Sequence, residues 1–298
     1  MTLRSLLRLL PFRRFRHPPP VVGVIRLYGA IGRFGPLHIG LTLADLASAI
    51  ERAFDLRDLE AVALSINSPG GSPVQSALIY GRIRALAEEK GVPVYAFAED
   101  IAASGGYWLA LAGDEIFADD SSIVGSIGVK FSGFGFHEAM GRLGIERRIY
   151  TAGDKKAILD PFKPEDPEDV ARIHELQGDV HEAFKTIVRT RREGKVKAPE
   201  AELFSGAFWS GSRALELGLI DGIGDLRSVM RARFGDEVRL KPVLPQRGWR
   251  RRLGLVKGSE PGLASLAGAP MGGGLGADLA GGIIAALEER ALWARFGL

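Results

Sequence analysis

Ala61-Val62-Ala63-Leu64-Ser65-Ile66 runs without a charge into Asn67-Ser68-Pro69-Gly70-Gly71-Ser72. A short apolar run of this kind is a buried strand, and the Asn/Ser/Pro/Gly cluster that ends it is a turn. Ser72, Pro73 and Gln75 then supply a helix start: a capping hydroxyl, a first-turn proline and a glutamine at the capping-box position. That helix is predicted to run to about Lys90, where Gly91 and Pro93 stop it. The pattern repeats: Val94 to Ala98 reads as a strand, and Ala103-Ser104-Gly105-Gly106 opens a second turn into a helix. Upstream, Val21 to Leu27 reads as a strand, and Thr42 with Asp45 caps a helix to about Phe54. Strands alternating with helices imply parallel βα units within one α/β domain.

Downstream, short strands are predicted at Glu115–Ala118, Ile123–Val129 and Arg147–Tyr150, with a helix near Phe136–Leu143. A long helix follows over about Asp166–Arg192, then helices at Ser210–Leu217 and Asp225–Phe234. The domain is expected to span 21–243. A basic leader precedes it (1–20), and a basic, then Gly-rich, segment follows (244–298), ending in a candidate amphipathic helix over Asp278–Phe296.

The 298 residues carry a net charge of +3, unevenly spread. Residues 1–17 hold Arg4, Arg8, Arg13, Arg14 and Arg16 with no acid, and 246–257 hold Arg247, Arg250, Arg251, Arg252 and Lys257 with none. The body between them is acidic. A nucleic-acid-binding domain would line one face with positive charge, so that class is set aside. Basic ends suit an anionic membrane surface. Leu3, Leu6, Leu7 and Leu10 share one helical face, a candidate interfacial anchor, and no stretch reaches the roughly 18 apolar residues of a spanning helix. Cysteine is absent, which removes thiol nucleophiles, disulfides and Cys-zinc sites together.

Two glycine-rich strand ends, each leading into a helix, can aim backbone N–H groups at a developing negative charge. Ser104 stands at the start of the second helix, either as a nucleophile or as one residue of a plain glycine turn. The turn is not a G-x-S-x-G elbow, since Ala102 occupies the first glycine position, and not a Walker loop, since no G-x-x-x-x-G-K-[ST] occurs. Among the histidines, His17 is in the leader, His174 and His181 read as surface residues of a polar helix, and His137 is a reserve base. His174-Glu175 and His181-Glu182 lack the second histidine of H-E-x-x-H, so no metal is implied. A lysine made neutral by burial is the other base, and Lys155-Lys156 precede an apolar stretch, although a lysine pair by itself reads as solvated surface.

Taken in order, the segments Ile66–Gly71, Ala102–Tyr107, Val124–Val129, Ala152-Gly153…Lys156 with Pro161-Phe162, and Ala214–Asp221 resemble the signal peptide peptidase A group of bacterial serine proteases, peptidase family S49. The resemblance covers about residues 21–243 and implies the ClpP/crotonase fold of repeated ββα units. It implies Ser104 as nucleophile, Lys156 as base, Ser126 as the serine that orients the lysine, and the N–H groups of Gly71 and Gly105 as the oxyanion hole. No cofactor is implied. Relatives of this fold with a Ser-His-Asp triad place a histidine near the position of Ser126, and residues 118–134 contain none.

The expected activity is a serine endopeptidase acting on apolar peptides such as remnant signal peptides. The family's small members form homo-oligomeric rings in which serine and lysine come from neighbouring subunits. The expected location is cytoplasmic, with peripheral contact at the inner membrane. A crotonase-type acyl-CoA hydratase or isomerase would bind CoA and survive Ser104→Ala; a non-catalytic membrane scaffold would bind lipid and cleave nothing.

Overall fold

The computed structural model describes residues 18–33, 40–153, 155–245, 286–287 and 289–298. The readings made for the leader up to residue 17, and for the basic run and Gly-rich stretch within 246–285, lie outside those residues.

Three strand–helix units open the domain: β1 (Val21–Tyr28) with α1 (Leu43–Phe54), β2 (Leu59–Ser68) with α2 (Pro73–Lys90), and β3 (Val94–Ala103) with α3 (Gly105–Ala110). The starts follow the sequence. Thr42 Oγ1 accepts from the Asp45 N–H, Ser72 Oγ accepts from the Gln75 N–H, and Gly91 closes α2 at φ 63°. One detail differs: the Gln75 side chain accepts from the Leu43 N–H at 2.9 Å. It therefore ties α2 to the start of α1 instead of completing its own capping box.

β4 (Glu115–Ala118), β5 (Ile123–Gly125), α4 (His137–Arg142), α5 (Pro167–Arg191), α6 (Glu200–Leu203) and β6 (Phe208–Ser210) follow. After them come α7 (Gly211–Leu217), β7 (Gly222–Ile223), α8 (Leu226–Phe234) and β8 (Arg239–Pro242). The strands form one sheet in the order β6-β5-β3-β2-β1-β8, with β4 beside β3 and β7 beside β4. All pairs are parallel except β5 with β6. The fold is the expected α/β class. Ile31, between β1 and α1, bridges both Leu41 and Gly71, adding the second β residue of a ββα unit.

Residues i and i+2 of a strand share a face, so each buried strand serves two cores. On one face, Leu27 and Ile66 pack under Ile50 of α1 and Ile79 and Ile83 of α2. On the other, Tyr95, Phe97 and Phe117 pack with Met230 of α8. The α5 helix adds Phe184, stacked on Trp108 of α3 with ring centroids 4.7 Å apart, and truncating such a buried ring costs about 3–5 kcal/mol.

Three predicted elements are corrected, the first being the strand expected over Ile123–Val129, which ends at Gly125. β3 continues past Ala98 to Ala103 because it forks: Tyr95–Ala98 pair with β4 and Ile101–Ala103 with β5, so both halves have partners. The strand expected at Arg147–Tyr150 does not form. Its residues sit in a largely exposed arm over 129–165, where no strand among the described residues pairs with them. The terminal helix expected over Asp278–Phe296 is helical at 286–287 and 289–294, and the remainder of that range before 286 lies outside the described residues.

Candidate active site

The β2–β3 register sets Ser68 against Ala102, so the turns that follow these strands lie side by side. The contact is close. A Cβ on Gly70 would fall 2.8 Å from Ser104 Cβ and 2.9 Å from Gly105 N, and one on Gly106 would fall 2.4 Å from Ser68 O. Only glycine lets the two backbones approach in this way.

Ser104 joins β3 to α3 with φ 53° and ψ −121°. A non-glycine residue there is strained by about 1–3 kcal/mol and is held only where its surroundings over-determine it. Ser104 is clamped on both sides: its N–H donates to Gly125 O at 2.8 Å, and its carbonyl accepts from Trp108 N at 3.0 Å. The side chain is left half-buried beside Gly70.

Gly105 is the first residue of α3, so its N–H has no partner inside the helix. Gly71 has φ 142°, and the bridge to Ile31 uses Gly70 O (2.8 Å) and Ser72 N (2.7 Å), leaving the Gly71 N–H out of that pairing. The Gly105 N–H follows Ser104 directly, and the Gly71 N–H belongs to the turn whose Gly70 abuts that serine.

Ser126 follows β5 directly. It is 2% exposed, has φ 53°, and its N–H donates to Ala207 O at 2.6 Å. Because Gly125 O holds Ser104, the two serines are backbone neighbours across one hydrogen bond. The structure thus gathers four of the five predicted site residues: Ser104, Ser126, Gly71 and Gly105.

Lys156 stands apart. It closes a turn through its N–H to Gly153 O (3.2 Å) in the exposed arm, and among the described residues no hydrogen bond joins it to Ser104 or Ser126. Lys155 is already engaged. Its Nζ donates to Glu168 Oε2 at 2.5 Å, a bond that raises its pKa and holds it charged. His137 begins the exposed helix α4, and His174 is exposed on α5.

His181 corrects the sequence reading. It is half-buried, and its Nε2 lies 3.2 Å from Ile127 O, next to Ser126. The available signal was helical spacing, since His181, Phe184 and Val188 fall on one face of α5 and the latter two are buried.

A cavity of about 650 Å³ opens on the α8 side of the sheet, lined by Tyr28, Ser65, Phe97 and Glu99 among others, but by none of the predicted site residues. Three of its polar groups bond to one another: Tyr28 Oη and Ser65 Oγ both donate to Glu99 Oε1.

The model of Peptidase family S49 matches residues 86–238, a span that includes Ser104, Ser126 and Lys156. A Brucella abortus protein named Na(+)/H(+) antiporter NhaA is 50% identical over 98% of this chain and 39% of its own length. Arabidopsis thaliana "Serine protease SPPA, chloroplastic" is 32% identical over 69% of this chain and 31% of its own. The chain therefore spans well under half the length of either relative, and the antiporter name describes a much longer protein. Among the described residues, no helix is long and apolar enough to cross a membrane. A solved structure of the 1510-N membrane-bound stomatin-specific protease covers 77% of this chain and 100% of its own, with 16% identity and a TM-score of 0.47.

Proposed function

The chain belongs to peptidase family S49, and from that premise we propose that it is a serine endopeptidase with a Ser104–Lys156 dyad. The observation that carries the reading is Ser104 itself: a strained serine at a strand-to-helix turn, followed by Gly105 and packed against Gly70 of the neighbouring glycine turn. Ser104 Oγ attacks the scissile carbonyl carbon and its proton passes to neutral Lys156 Nζ. The oxyanion of the tetrahedral intermediate is held by the two N–H groups. Lys156 then protonates the leaving amine, and an acyl-enzyme remains. Water, deprotonated by the same lysine, releases the acid and restores Ser104.

A base of this kind needs a shielded site and a hydroxyl partner, because a carboxylate would keep it charged. Lys155, paired with Glu168, fails that requirement. Lys156 is exposed among the described residues, which supports supply of the shield, and of the lysine itself, across an interface with a neighbouring copy in a homo-oligomeric ring. The arm that carries it exposes Phe131, Phe134, Phe136 and Tyr150, apolar surface suited to a second subunit and to apolar peptides. Membership of a peptidase family favours this reading over acyl-CoA chemistry, which has no use for the dyad. Peripheral attachment at the cytoplasmic side of an inner membrane, through the basic ends, completes the proposal.

The test is cleavage of a quenched, signal-peptide-like apolar substrate by wild type, Ser104→Ala, Lys155→Ala and Lys156→Ala. Ser104→Ala and Lys156→Ala are expected to lose about 10⁴-fold or more in kcat, as in other serine-nucleophile systems, with the oligomer intact. Lys155→Ala should stay within a few-fold of wild type. Full activity in Ser104→Ala overturns the reading.

A further inference from the structure

Resting on the dyad reading, we propose that His181 is a positioning residue that holds Ser126 in place to orient the base. Three successive residues at the end of β5 and just beyond it are tied to three different parts of the molecule. Gly125 O accepts from Ser104 N at 2.8 Å, Ser126 N donates to Ala207 O at 2.6 Å, and Ile127 O lies 3.2 Å from His181 Nε2. The first two ties are backbone to backbone. The third is the only one made by a side chain, so it is the one that a substitution can remove.

A carbonyl oxygen only accepts, so Nε2 carries the hydrogen and the ring donates to Ile127. Burial, then the nearby Lys185, lowers the His181 pKa below its ordinary value, in keeping with a neutral ring in that tautomer. Ser126 needs such anchoring because it is a buried serine at φ 53°, a conformation that relaxes unless both neighbours are fixed. The same helix carries Phe184 against Trp108, one turn beyond Ser104. α5 thus braces the supports of both serines on one face.

The variants His181→Leu, His181→Asn and His181→Gln separate this role from plain packing. Glutamine returns an amide N–H near the Nε2 position, whereas asparagine places its amide near Nδ1 and falls short of Ile127. With the full chain in its native assembly and an apolar peptide substrate, His181→Leu and His181→Asn should lower kcat about tenfold, the scale of one lost hydrogen bond. KM and oligomeric state should be unchanged, and His181→Gln should recover most of the rate. In a Ser126→Ala background, His181→Leu should cause no further loss. Wild-type kcat in His181→Leu, equal rates for the Asn and Gln variants, or an undiminished loss in the Ser126→Ala background would each overturn the proposal. If Leu disturbs folding, the Asn–Gln comparison decides. Full activity in Ser126→Ala alone would instead remove the base-orienting step, and this inference with it.

Discussion

The turns that follow β2 and β3 and the arm over 129–165 face opposite physical conditions. Around Ser104, glycines let two backbones meet at distances that exclude any Cβ, and α3 is buried along its whole length. In the arm, α4 has no buried residue, and phenylalanines stand in solvent. One region is complete within a single chain. The other carries the proposed base on a surface that is exposed among the described residues. On the proposed reading, the serine and its two flanking turns are a product of folding, whereas the neutral lysine is a product of association.

The largest expected effect tests that division directly. Ser104→Ala and Lys156→Ala, each inactive alone, should complement one another when denatured together and refolded as a mixture. If each site takes its serine and lysine from different copies, an equimolar mixture should regain about a quarter of wild-type activity, from random assembly in a closed ring. No recovery, with mixed assemblies confirmed by mass, would place both residues in one chain and break the comparison.

Stability should divide along the same line. Gly106→Ala forces a Cβ to 2.4 Å from Ser68 O and is expected to destabilise the domain by about 1–3 kcal/mol, read as a lower urea midpoint. Phe134→Ser in the arm should leave that midpoint within about 0.5 kcal/mol when measured on dissociated protein, as exposed positions do. The reverse order would mean that the arm is packed in the single chain.

The smallest effect concerns acid. Burial pushes the Asp221 carboxyl up, but hydrogen bonds from Arg192 and Lys195 outweigh it, and its pKa lies below the ordinary value. The unfolded chain therefore takes up this proton more readily than the folded one. The stabilisation is complete above the usual carboxylate range and drains away as pH falls through the lowered folded value. Urea midpoints measured from about pH 6 down to about pH 2 should fall less steeply in Asp221→Asn than in wild type, since aspartate ordinarily titrates near pH 3.9.

Where local chemistry decides the structure, the sequence was a good guide. The Thr42 and Ser72 caps, the stop at Gly91 and the paired glycine turns all depend on residues within a few positions of one another. Ser104, Ser126, Gly71 and Gly105 came together because strand register places them. The misreadings are tertiary. Gln75 has the right spacing for a capping box, yet a neighbouring helix start offers its side chain an N–H. Arg147–Tyr150 has strand-like residues, yet among the described residues no sheet edge pairs with it. His181 sits among Glu182, Lys185 and other polar residues, and its buried face shows only when helical spacing is followed to Phe184 and Val188. The engagement of Lys155 could not be read from its neighbours either, because its partner Glu168 lies thirteen residues beyond it.

The pairing of β1 with β8 has a bearing on synthesis. Val21–Val24 align with Arg239–Pro242, so the outer edge of β1 has no partner until almost the whole domain has left the ribosome. An apolar strand with an open edge is a template for wrong partners, and translation at roughly 5–20 residues per second keeps it open for many seconds. During that interval the nascent chain is expected to rely on chaperones, and the late arrival of β8 becomes the step that ends its exposure to aggregation.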